Sequence, residues 1–154
     1  MYSIYLRENK LKYELNELIK MFLKPSEYRL VEEKEAFEAQ IILPEELTEK
    51  NAAKRFLFDQ LSQLTGKKPD WGTVTGVRPV KLAMEYFRKG QDAAQVADIL
   101  KKEYYLSDEK IRLLTELCLL QREILKDCRP DDVGVYAGIP FCPTRCVYCS
   151  FTSN

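Results

Sequence analysis

The sequence predicts an α+β fold, a small antiparallel sheet packed with several helices, ahead of one more strand and a cysteine-bearing loop. Three observations predict it. Tyr2, Ile4 and Leu6 alternate with Ser3, Tyr5 and Arg7, the period-two pattern of a half-buried strand. Two further strand-like runs, 28–32 and 36–43, follow with the charged Glu33-Lys34-Glu35 between them. From Thr48 to Asp127 apolar residues recur at intervals of three and four, the period of amphipathic helices.

Each element has a local reason. Asn9 is placed to cap the first helix, whose Leu11, Leu15, Leu18, Ile19 and Phe22 share a face, and Pro25 stops it. Tyr28–Glu32 and Ala36–Leu43 read as a hairpin, with Phe37, Ala39, Ile41 and Leu43 on one face of its second strand. Thr48 caps a helix running to Leu64, with Phe56, Leu57, Leu61 and Leu64 as core positions and Gly66 as its C-cap. Pro79 suits the first position of a helix reaching Lys89 and closed by Gly90. Asp92 caps a helix carrying Val96, Ile99 and Leu100. Ser107 caps the next, with Asp108 and Glu109 in its first turn where the helix dipole favours them and Leu106 stapled onto Ile111. That helix extends to about Asp127. Cys118 sits on its apolar stripe and reads as an inert core thiol.

Composition narrows the function classes. At 154 residues the chain is one domain, or one domain with a piece of another. Lys+Arg and Asp+Glu are 24 each, and this balance argues against a broad nucleic-acid or membrane footprint. The amino terminus has neither a basic nor an apolar signal region, and no apolar run approaches the roughly 20 residues that span a bilayer. A cytoplasmic location is expected, and it suits free thiols. The chain has no histidine, so the commonest general base and metal ligand is missing. Any catalysis must run on cysteines or a cofactor.

The cysteines carry the strongest signal. Pro130-Asp131-Asp132 marks a boundary, and the apolar run from Val133 reads as a strand buried in a parallel sheet. It leads to Cys142-Pro143-Thr144-Arg145-Cys146-Val147-Tyr148-Cys149, a C-x3-C-x2-C spacing. One short loop can thereby wrap three thiolates onto a cubane. A [4Fe–4S] cluster normally takes four cysteines, so three leave one iron open to an exogenous ligand. Structural zinc is the alternative, but it is almost always four-coordinate, and Cys118 and Cys128 lie upstream without a paired C-x2-C. Cys128 could serve as a fourth ligand, although nothing in the spacing requires it. A disulfide reading leaves an odd thiol over.

The octet resembles the cluster loop of the radical S-adenosylmethionine (SAM) superfamily, including the aromatic Tyr148 before the third cysteine. The longer string Tyr136-x-x-Ile139-Pro140-Phe141-Cys142-x3-Cys146-x-Tyr148-Cys149-x-Phe151 is similar to the oxygen-independent coproporphyrinogen III oxidase family. Upstream, Trp71-Gly72-Thr73-Val74-Thr75-Gly76-Val77-Arg78-Pro79-Val80-Lys81-Leu82 resembles the HemZ-type members of that branch. The resemblance implies that Cys142, Cys146 and Cys149 hold a [4Fe–4S] cluster, with Tyr136 and Tyr148 beside bound SAM. Pro140 and Phe141 match residues that shape the approach to the loop. It implies an accessory domain over 1–130, then residues 131–154 as the first strand and cluster loop of a truncated radical SAM βα barrel. The whole protein would oxidatively decarboxylate propionates of coproporphyrinogen III to vinyls with an electron-donor protein, and this fragment alone would be inactive.

Two positions depart from the oxidase pattern. Gly138 stands where the family oxidases carry histidine, and Phe151 where classical members carry a further cysteine. The Cys-x-Tyr-Cys-x-Phe ending is shared with a related haem-binding chaperone, so haem trafficking is the near alternative. Two others are of different classes. The helix pair over 92–127 has a helix-turn-helix flavour, although no arginine cluster marks a recognition helix. A non-catalytic docking module is the last. The Trp71–Pro79 stretch lacks the Gly-Lys-Ser/Thr of a phosphate loop. It reads first as a packing turn between layers, and second as the lip of a cleft with Arg78 as an anion contact.

Overall fold

The structure is a computed structural model, describing residues 1–6, 11–76, 78–129, 131–138, 141, 142, 144 and 146–149. β1 (Tyr2–Tyr5) is the centre of a three-stranded sheet, flanked by β2 (Tyr28–Leu30) and β3 (Ile41–Ile42). Both flanking strands run parallel to it, with Ile4 opposite Leu30 on one side and Ile41 on the other. The expected antiparallel hairpin is therefore not formed. The helix α1 (Lys12–Lys20) returns the chain between β1 and β2, and such a crossover brings the next strand in parallel. Between β2 and β3 the chain forms a 3-10 helix, Glu33–Glu38, where a turn and the start of a long strand were expected. Four of its six residues are charged, a composition poor in strand formers. Phe37 projects into solvent at 79% exposure, while Ile41 and Leu43 are buried.

The helices follow the sequence more closely. Leu15, Leu18 and Ile19 of α1, with Phe22 beyond it, are buried against the sheet and α2 (Lys50–Thr65). The N-cap of α2 is Glu49 rather than Thr48, its carboxylate accepting from the Asn51 and Ala52 N–H groups at 2.9 and 2.6 Å. A carboxylate is favoured there because it satisfies orphan donors and faces the positive end of the dipole. Leu57 and Leu61 are fully buried, Phe56 and Leu64 are partly buried, and Ala53 and Phe58 complete the α2 face. Gly66 closes the helix at φ 70°, a conformation that suits glycine. The expected Asn9 cap lies outside the described residues.

A second cluster is built by α3 (Pro79–Arg88), α4 (Ala93–Tyr104) and α5 (Asp108–Leu125). Pro79 opens α3. Asp92 and Gln95 form a reciprocal capping box on α4, and Ser107 caps α5. Leu106 and Ile111 are buried in the same cluster, with Val96, Leu100, Leu114 and Cys118. Each such aliphatic side chain contributes about 1.5–3 kcal/mol on leaving water.

Three contacts gather at the end of α4. Phe58 meets Tyr105 edge-on with ring centroids 5.4 Å apart, and within the first cluster it meets Phe22 in the same way at 5.1 Å. Arg55 pairs with Glu103 at 2.5 Å. The Trp71–Thr73 turn seats its backbone on the end of α4, the Thr73 N–H donating to the Tyr104 carbonyl at 2.8 Å. No described helix is long and apolar enough to cross a membrane.

Candidate functional site

The chain leaves α5 through a turn in which the Arg129 N–H donates to Asp132 Oδ2 at 2.7 Å and the Asp132 N–H donates back to the Arg129 carbonyl at 3.1 Å. Residues 131–138 then form no strand. Val133 and Val135 are 85% and 91% exposed, contrary to the buried strand expected from their apolar run. A strand needs a paired neighbour to satisfy its backbone, and none of the described strands lies alongside. Tyr136 is exposed, with its ring against Gly138.

Of the cysteines, Cys142 and Cys146 are exposed and Cys149 is half-buried, and none is in a disulfide. Cys146-Val147-Tyr148-Cys149 forms a turn closed by the Cys149 N–H donating to the Cys146 carbonyl at 3.0 Å. Such a turn keeps its end Cα atoms within about 7 Å. This pair therefore sits where two thiols can share one metal or cluster. Cys142 is not gathered with them, and no group of three or more Cys, Asp or Glu side chains poised for a metal occurs among the described residues. Tyr148 is exposed beside the pair. The donor set nonetheless fits an iron–sulfur cluster in kind: three reduced, accessible thiols on one short loop, one pair already turned together.

The other two thiols separate cleanly. Cys118 is fully buried in the helical cluster, its Sγ 3.7 Å from the Val80 carbonyl, and burial pushes its pKa up. Its thiolate is suppressed, which suits the inert role expected. Cys128 is exposed at the end of α5.

The Trp71–Pro79 stretch divides in two. Gly72 and Thr73 are buried in the contact with α4, and Trp71 takes the Lys110 ammonium over its ring at 5.7 Å. Val74, Thr75, Gly76 and Pro79 line an open hollow of about 450 Å³ with Glu17 and Lys20. Behind it lies Lys54, 6% exposed, donating to Thr75 Oγ1 at 2.7 Å and the Thr73 carbonyl at 3.3 Å. Burial lowers its pKa. This buried lysine was missed in the sequence, where it is one cation among many in a helix. The only available cue was its place on the same face as Leu57, Phe58 and Leu61.

The chain is 39% identical over 115 residues to the "oxygen-independent coproporphyrinogen-III oxidase-like protein HemZ" of Bacillus subtilis (strain 168). It is a relative of the oxygen-independent coproporphyrinogen-III oxidase-like proteins. The match covers 69% of this chain and 23% of that protein. More narrowly, the likeness is to a HemZ-type member. It spans about a quarter of the length of that relative. No family model matches the chain, and no solved structure matches it.

Proposed function

We propose that these residues form the front of a radical SAM oxidoreductase of haem biosynthesis, acting on the propionates of a porphyrinogen. The observation that carries the reading is the C-x3-C-x2-C loop, in a chain without histidine and with the HemZ-type likeness. Cys142, Cys146 and Cys149 would hold a [4Fe–4S] cluster. Bound there, that cluster would supply an electron for reductive cleavage of SAM, giving a carbon radical able to take hydrogen from a propionate.

The residues' own tasks are simpler. The thiols must be open to the iron they would bind: Cys142 and Cys146 are exposed and Cys149 is half-buried. Tyr148, between two ligands, would lay its backbone along the adenine, and Tyr136 would stand near the cofactor. An electron-donor protein and a cytoplasmic setting follow from the same reading. The 154 residues alone would be inactive, with 131–154 opening a catalytic domain and 1–130 its accessory domain.

The test is an anaerobic assay of the whole protein with reductant, SAM and coproporphyrinogen III. The reading expects 5′-deoxyadenosine together with vinyl product, both lost in Cys146→Ser. Gly138 favours a second reading, a haem-binding relative, since it removes the histidine that the family oxidases carry there. SAM cleavage without vinyl product, together with tight haem binding, would replace the first reading by the second.

A further inference from the structure

α3 and the last two turns of α5 pack side by side and leave a groove along their seam. On α3, Lys81, Met84 and Arg88 recur at intervals of three and four, so they share one stripe spanning roughly 10 Å. Gln121, Arg122 and Leu125 of α5 face them. The groove opens as two adjoining hollows of about 450 and 370 Å³, and both are lined by Met84 and Arg88. These volumes lie in the range of sites for small ligands.

Its charge is one-sided. Arg78, Lys81, Arg88 and Arg122 line it, and among the described residues no carboxylate does. Among the described residues none of these four forms an ion pair, whereas Lys20, Lys50, Arg55, Lys101 and Lys102 each meet a carboxylate. Arg122 instead lies over the Phe87 ring at 5.4 Å. In a chain of zero net charge this concentration is a local arrangement, not a consequence of composition. Uncompensated like charges repel one another and raise the local concentration of anions. Between them the lining is apolar, with Val80, Met84 and Phe87 at its base and the exposed Leu125 at its edge.

A lone inorganic anion would use the cations and leave the floor bare. A nucleic-acid backbone would want a longer basic track than this short seam. We infer that the groove binds an amphipathic polycarboxylate, an apolar body of ring size with several carboxylates at its edge, the chemistry of a propionate-bearing tetrapyrrole. The choice of a tetrapyrrole rests on the proposed function, whereas the call for an anionic edge and an apolar body rests on the groove alone.

The test is titration of the 154-residue chain with coproporphyrin III, followed by porphyrin absorbance and fluorescence. A single saturable site is expected, weakened by added salt. Arg78→Gln, Lys81→Gln, Arg88→Gln and Arg122→Gln should each weaken it about two- to fivefold, and all four together on the order of a hundredfold. The four side chains are exposed, so far-UV circular dichroism should be unchanged. Citrate, with carboxylates and no apolar body, should fail to compete. Triple replacement of Cys142, Cys146 and Cys149 by serine should leave binding intact. Full binding by the quadruple variant, effective competition by citrate, or competition by a short DNA duplex would each overturn the inference. Loss of cofactor cleavage with porphyrin binding retained would strike only the proposed function.

Discussion

The α-carbon of Gly72 lies against the main chain of Tyr104: a Cβ built on Gly72 would stand 2.0 Å from the Tyr104 carbonyl oxygen. The same residue has φ +54°, and the next N–H donates to that oxygen. Close approach and left-handed backbone both require glycine here, and the contact is what docks the Trp71–Thr73 turn on the end of α4. Gly72→Ala should therefore cost on the order of 3 kcal/mol or more, because the atom struck is backbone and cannot swing away. Gly76, four residues on, has open space at its Cβ position. Gly76→Ala should change stability by no more than about 1 kcal/mol. Urea unfolding of both variants checks the contrast; equal costs would show that the turn does not dock as described.

The two faces of α5 should respond differently to truncation. Leu114 is buried against α3 and α4, whereas Leu120 and Ile124 are exposed on the outer face. Leu114→Ala should cost about 2–5 kcal/mol and Leu120→Ala within about 0.5 kcal/mol. Thermal melts of the two variants decide it. A large loss at Leu120 in the isolated chain would mean that the outer stripe is covered by another copy.

Thiol labelling should sort the cysteines by environment. Cys128, Cys142 and Cys146 are exposed, while Cys118 is buried with a raised pKa. At neutral pH under reducing conditions followed by rapid exchange, a maleimide should label the first three in seconds to minutes and Cys118 only on unfolding. Mass spectrometry of peptides after timed quenching reads this directly. Fast labelling of Cys118 would contradict its place in the core.

Stability at alkaline pH should carry the mark of Tyr86. Burial, followed by the hydrogen bond with Tyr104 at 3.0 Å, pushes its pKa from 10.0 up to about 12. Below pH 10.0 the folded and unfolded chains both keep this proton. Between there and about pH 12 the unfolded chain releases it first, so stability falls as pH rises. Tyr86→Phe should show a shallower decline across that window when denaturant midpoints are compared. Identical slopes would remove Tyr86 as a cause.

Much of this was legible from local chemistry. The caps at Asp92 and Ser107, the proline at the start of α3 and the glycine closing α2 act within one helical turn, and their side chains declare them. Strand direction is a different kind of fact. Alternation in Tyr2–Leu6 and Phe37–Leu43 says which side chains share a face, and says nothing of which way a neighbour runs. Hence the parallel sheet, and the 3-10 helix in place of a hairpin turn, escaped notice. The candidate site divides the same way. Spacing marks Cys142, Cys146 and Cys149 as candidate ligands, whereas the groove of Arg78, Lys81, Arg88 and Arg122 needs two helices side by side. Residues 43 apart in sequence, Pro79 and Arg122, border it only because α3 and α5 pack together.

The proposed function turns on three cysteines, and not four, holding a cubane cluster. The most direct measurement is iron content and EPR of the whole protein after anaerobic reconstitution and reduction, with and without SAM. The account predicts about four irons per chain, the signal of a reduced [4Fe–4S] cluster, and a change in that signal on adding SAM to the open iron. It also predicts loss of the cluster in Cys142→Ser, Cys146→Ser and Cys149→Ser, but not in Cys128→Ser. Zinc in place of iron, or a cluster whose signal ignores SAM and vanishes in Cys128→Ser, would contradict it.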